Sequence, residues 1–201
     1  MSATVDSVLD FWFGDRSRPS AEIAAAQAGL WWGKSESTDA AIRTQFGQAL
    51  AVAGSGGLDE WLSTPEGLLA AIIVIDQFSR NAHRDSGEAF ALDSVALGWC
   101  KKGIEQGVDQ ALRPIERLFF YLPLEHSEDM EDQNQCVVLM DILAGSVDES
   151  SRETFAGFAD YARQHQRIIA RFGRYPHRNA LLGRESTEEE LAFLQEPGSS
   201  F

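Results

Sequence analysis

Between Leu68 and Ile75 the chain offers no polar side chain at all, and this run constrains the fold more than any other stretch. It is preceded by Thr64-Pro65-Glu66, an N-cap candidate, a proline suited to the first helical position and an acid near the helix's positive end. A helix that is apolar on every face has to be surrounded by other elements, so the remaining segments are expected to wrap around it. Its exit changes character: Asp76-Gln77-Phe78-Ser79-Arg80-Asn81 places hydrogen-bonding groups at the end of a buried helix, with Asp76 and Arg80 four apart on one face.

The other segments read as amphipathic helices. Thr4 caps residues 4–13, with Val5, Val8, Leu9 and Trp12 at helical spacing before Gly14. Residues 20–32 close on Leu30-Trp31-Trp32-Gly33, and both aromatic pairs, Trp12-Phe13 and Trp31-Trp32, are expected in the core. Residues 39–53 carry an apolar stripe ended by Gly54-Ser55-Gly56-Gly57. One long helix is expected over residues 86–107, and a short one from Pro114 that Pro123 ends. Ser127 is the expected cap of the next helix, which runs to Gly145, and residues 151–171 are helical again. Ser186-Thr187-Glu188-Glu189 has the pattern of a capping box for a last helix. No segment alternates long enough for a strand, so the fold class is all-α: residues 1–201 form a single all-helical domain of stacked antiparallel hairpins or an irregular bundle. No internal repeat of about 34 or about 40 residues is found.

At 201 residues and 44% hydrophobic, the chain can build its own core without metal or disulfide. A formal net charge of -14 argues against nucleic acid and against anionic membrane as partners. Asp6 and Asp10 stand where a signal peptide would be positive, and no apolar run reaches the roughly 20 residues of a span, so a cytoplasmic protein is expected. Cys100 and Cys136 lie in amphipathic segments and read as buried thiols. Within this acidic chain residues 161–184 carry six arginines and two histidines without a carboxylate, while residues 125–132 carry five acids and residues 185–190 four. Either these regions face one another, or the arginines converge on an anion.

Four polar groups fall at helix ends: residues 76–81, residues 125–128, Tyr161 with His165, and the turn Arg174-Tyr175-Pro176-His177-Arg178-Asn179 shaped by Gly173 and Pro176. Sharing one mouth, they would form a site in which Arg80, Arg174 and Arg178 present planar forks to a carboxylate or phosphate. His126, His165 or His177 would move a proton, with Asp76 or Glu125 fixing the tautomer. Gln77, Asn81, Tyr161, His177 and Asn179 complete the candidate ligand-binding set. Each group also has a structural reading: Asp76 with Arg80 as an ion pair, residues 125–128 as a helix start. His126, Glu128 and Asp129 have metal-ligand chemistry, but their spacing matches no established zinc signature, so neither metal nor cofactor is expected. No serine or cysteine sits in a nucleophile's context, and the phosphate-loop and dinucleotide glycine patterns are absent.

These motifs together carry a resemblance. Val8-Leu9-Asp10-Phe11-Trp12-Phe13-Gly14, the stretch from Asp76 to Asn81, Leu122-Pro123-Leu124-Glu125-His126-Ser127-Glu128-Asp129, Phe172 through Asn179 and the final Gly198-Ser199-Ser200-Phe201 occur in order over essentially the whole chain. In this the chain resembles the bacterial domain-of-unknown-function family 924. The resemblance implies a tetratricopeptide-like αα-superhelix and recurrence of the polar motifs, but no activity, substrate or cofactor. Ser79 departs from the proline often expected after Phe78. Two functions are open: a pocket for an anionic small molecule with general acid-base catalysis, or an interaction module whose concave groove takes an acidic peptide or partner protein.

Overall fold

The computed structural model describes residues 3–199, and among them there are helices and turns but no strand. The Ser200-Phe201 end of the last motif lies outside the described residues. The apolar run forms α4 (Pro65–Ile72), which starts where Thr64 Oγ1 accepts from the Gly67 amide at 3.1 Å. It passes without a break into a π-helical segment, Ile73–Phe78, and then into α5 (Ser79–Ala82). Leu69 to Asp76 have no exposed surface.

The wrapping elements are α1 (Val5–Phe13), α2 (Ser20–Trp31), α3 (Glu36–Ala53), α6 (Asp93–Glu105) and α7 (Pro114–Glu125). α1, α6 and α7 pack on α4, and α3 on the π segment and α5. α2 packs on α1, on α7 and on a helix much later in the chain, α9 (Glu149–Phe172), so elements distant in the chain meet as in a bundle around a central helix. Edge-on aromatic contacts tie Trp12 and Phe13 of α1 to Trp31, Phe78 and Phe119. Helices α8 (Met130–Ser146) and α9 (Glu149–Phe172) form a hairpin turned by Val147 and Asp148, and α7 lies against α8. One continuous hydrophobic core runs from α1 to α9, and Ile168, Ile169, Tyr175 and Phe193 form a small second cluster that anchors the chain beyond α9.

Several local expectations are corrected. Residues 86–107 are not one helix: Ser86 caps a 3-10 turn, Gly87–Phe90, and α6 begins at Asp93. Gly87 sits where a Cβ would lie 2.7 Å from the Leu181 carbonyl oxygen, so this turn is fixed by close backbone packing. Pro123 lies inside α7 instead of ending it, because the residues around it are buried on all sides and hold the helix to Glu125. Asp129, not Ser127, caps α8; Ser127 Oγ donates instead to Asp132. The last helix, α10 (Glu188–Phe193), is launched by a box of Thr187 and Glu190. Trp12, Phe13 and Trp31 are core, whereas Trp32 is 50% exposed. Both cysteines are buried free thiols, and no helix among the described residues is long and apolar enough to cross a membrane.

Candidate functional site

The C-terminal end of α7 carries Glu125 and His126, and three side chains from two segments, α8 and the turn after α9, hold it in place. A helix leaves its last carbonyls without intrahelical partners. Here Gln133 Nε2 from α8 donates to the carbonyls of Glu125 and Ser127, each at 2.7 Å, the Tyr175 hydroxyl donates to the Glu125 carbonyl, and Arg178 Nη1 donates to the His126 carbonyl at 3.0 Å. Gly173, in the left-handed region at φ 68°, ends α9 and turns the chain so that Tyr175 and Arg178 reach α7.

A cavity of about 380 Å³ opens beside this end. Gln77, Arg80 and Asn81 from the central helix, Glu125 and His126 from α7, Tyr161 and His165 from α9, and His177 and Arg178 from the following turn all border it. Asp76 stands behind the wall with no exposed surface, its Oδ1 2.8 Å from His126 Nδ1. Arg174 and Asn179 lie outside the cavity. Arg174 makes a two-pronged contact with Glu190 at 2.6 and 2.8 Å, and the buried Asn179 donates to Ser186 and accepts from Arg184. The basic stretch is thus mostly met by acids of neighbouring elements: Arg171 by Glu189, Arg174 by Glu190, Arg184 by Glu128 and Arg163 by Asp141. Arg178 is its arginine on the cavity wall.

Sequence spacing did not reveal the rest of the wall. Trp31 at the end of α2, Trp32, Gly33 and Lys34 just beyond it, Arg84 and Asp85, and Phe90 and Leu181 also line the cavity. Nor did it reveal the acids behind the arginines. Arg84 forks onto Asp39 at 2.6 and 2.8 Å, and Arg80 onto Asp93 at 2.9 and 3.1 Å. Arg80 stays 3.7 Å from Asp76 Oδ1 and donates instead to the Asp76 carbonyl at 2.8 Å. An aspartate at the start of a helix's apolar stripe was the available signal for Asp39; for Asp93 there was none.

Burial and charge set the protonation states. Burial pushes the Asp76 carboxyl up, but His126 and Arg80 outweigh it and hold Asp76 well below the usual carboxylate range. His126 is pushed down by burial and by Arg80, against the pull of Asp76. At neutral pH an ionised Asp76 therefore accepts from a neutral imidazole at Nδ1, which leaves Nε2 with a lone pair. Burial, aided by Asp76, raises Glu125 to about 8, so it is a neutral acid at pH 7. His165 Nδ1 lies 3.4 Å from Glu125 Oε1 and 3.0 Å from the Tyr161 carbonyl; burial lowers it to about 3, so this contact joins two neutral groups. His177 is lowered to about 4 by burial and Arg178. Glu128 is held by Arg184 and the Tyr175 amide, and Asp129 by the start of α8, so neither faces His126 as a co-ligand.

Arg178 differs from the other arginines. Its guanidinium lies 4.8 Å from the Phe90 ring centre and 4.4 Å from that of Tyr175, and its nearest carboxylate contact, to Asp93, is 3.6 Å. Its Nε is buried with no hydrogen-bond partner among the described residues. Burial and the neighbouring Arg80 lower it to about 10, leaving it charged at neutral pH.

A family model described as "Bacterial protein of unknown function (DUF924)" matches residues 8–198. A solved structure of a protein of unknown function, ATU0120 from Agrobacterium tumefaciens, is 32% identical, with a TM-score of 0.79 over 95% of this chain and 96% of that one. No curated protein matches.

Proposed function

Because the chain belongs to the bacterial DUF924 family, whose function is unknown, we propose from the site itself that the cavity binds an anionic small molecule and that His126, aligned by Asp76, exchanges a proton with it. The observation that carries this reading is Arg178: a buried guanidinium on a cavity wall with its Nε unpaired among the described residues. Its nearest carboxylate, Asp93, stays 3.6 Å away, so a ligand carboxylate or phosphate would give this guanidinium the close anionic partner that Arg80 and Arg84 already have. The cavity's roughly 380 Å³ falls in the range of small-molecule sites, about 300–1,000 Å³. His126 Nε2 would act as the base, its imidazole oriented by Asp76, and the neutral Glu125 would donate a hydrogen bond to a ligand oxygen.

The test is a thermal-shift panel of carboxylates, phosphates and acidic peptides on wild type, Arg174→Ala and Arg178→Lys. At ligand concentrations near 100 Kd, a binder adds about 2.7 kcal/mol, which is about 5–10 °C in Tm for a chain of this size. Small anions are expected to stabilise wild type and Arg174→Ala and to lose most of the effect with Arg178→Lys, which keeps the charge but removes the planar fork. Equal shifts in all three proteins reject the pocket. Stabilisation by acidic peptides alone establishes the interaction module in its place.

A further inference from the structure

The polar cavity has a second chamber of about 270 Å³ against it, lined almost wholly by apolar surface. Trp32, Leu122, Glu125 and Tyr161 border both spaces, so the two adjoin along these residues. The half-buried Phe158 and the exposed Gly157 line the second chamber from α9. Trp32 stacks on Phe119 at 6.0 Å and leans on Phe158 at 6.3 Å, so the half-exposed indole at this junction is held by ring contacts. Gly157 contributes no side chain, and a Cβ built there meets nothing within 4 Å.

The charges also limit what the polar end can hold. Arg80 and Arg84 are each forked onto a carboxylate, Asp93 and Asp39, and Asp76 lies behind His126. Arg178 is left as the buried guanidinium on this wall with an unsatisfied donor among the described residues, while the wall's remaining cation, Lys34, is exposed to solvent. One such group matches one carboxylate, whereas a phosphate dianion would bring a second negative charge toward Asp76 and Asp93.

Deepening the pocket reading, on which this rests, we infer that the ligand is an apolar monocarboxylic acid, its carboxylate at Arg178 and its hydrocarbon body in the chamber between Trp32, Leu122 and Phe158. Burial of each methylene in such a chamber strengthens binding by about three- to four-fold.

The experiment measures binding of acetate, butyrate, hexanoate, octanoate and inorganic phosphate to wild type, Gly157→Ala, Gly157→Leu and Arg178→Lys by calorimetry. Affinity is expected to climb by about three- to four-fold per methylene through the series in wild type and Gly157→Ala. In Gly157→Leu the short acids are expected to bind as in wild type while the gain from hexanoate onward disappears. Circular dichroism and unchanged short-acid binding show that Gly157→Leu is folded. Carboxylate binding that needs Arg178 but does not change with chain length overturns this inference and leaves the pocket reading standing. A full length dependence retained in Gly157→Leu overturns the chamber assignment, and phosphate binding more tightly than every acid overturns the ligand class. No binding of any probe overturns both readings.

Discussion

Asp76 is a carboxylate with no access to water, and its ionised state is sustained by the imidazole of His126 and the guanidinium of Arg80. Asp76→Asn keeps the shape but removes the charge that both neighbours lean on. Breaking a buried charged pair on one side costs about 3–5 kcal/mol; Arg80 retains Asp93, so about 3 kcal/mol is expected from urea denaturation. Nitrogen NMR of His126 should show Nδ1 protonated at neutral pH in wild type, and a mixed tautomer in the variant. A loss below about 1 kcal/mol with the tautomer unchanged would refute an ionised Asp76. At this scale the sequence was readable for chemistry but not for partners. The residue types of Asp76, Arg80 and His126 marked them as candidates, and four-residue spacing linked Asp76 to Arg80. The direct bonds run from Asp76 to His126, fifty residues on, and from Arg80 to Asp93, because long-range contacts depend on packing that spacing does not encode.

Among the elements, the central helix and its cap were legible because an all-apolar run and a Thr-Pro-Glu start are strong local signals. The π segment at Ile73–Phe78 was not, since a widened turn leaves no mark when every face is buried. Its carbonyl at Asp76 takes the Arg80 side chain, so the irregular turn is part of how Arg80 is aimed. Pro123 misled for a related reason: its ring usually costs a helix about 3 kcal/mol, but the surrounding burial and the bonds of Gln133, Tyr175 and Arg178 to the helix end outweigh that local penalty. Gly103 on α6 shows how tightly the elements meet. A Cβ there would fall 2.5 Å from Phe120 Cζ and 3.0 Å from Leu68 Cδ2, both buried. Gly103→Ala gains about 1 kcal/mol of helix propensity but meets an overpacking cost of about 1–3 kcal/mol and the loss of the present ring position. The expected outcome is a lower denaturation midpoint; a higher one would mean that Phe120 can move aside freely.

For the whole molecule, buried titratable groups make stability depend on pH with opposing signs. His165 and His177 have folded pKa values of about 3 and about 4, below the ordinary histidine value, so the unfolded chain takes up protons first as pH falls and the folded state loses stability below about 6.5. Glu125, raised to about 8, acts the other way: from about 4.5 upward the unfolded chain has released a proton that the fold retains, and stability falls until about pH 8. Two histidines outweigh one glutamate between about 4.5 and 6.5, and above that the glutamate acts without them, so these groups place the maximum near pH 6.5. Urea midpoints at about pH 5, 6.5 and 8 should trace it, and Glu125→Gln should flatten the alkaline limb while leaving the acid limb in place. An alkaline slope unchanged in that variant would show that Glu125 is ionised in the fold. The clasp on the end of α7 bears on how the protein comes into being. Tyr175 and Arg178 lie 50 and 52 residues beyond the α7 carbonyls they grip, so Asp76 and His126 are synthesised before the turn that clasps them. The pocket therefore cannot be complete until that turn has been made and docked, and a ligand that fills it would act as a chemical chaperone, rescuing variants whose Tyr175 to Arg178 turn docks weakly.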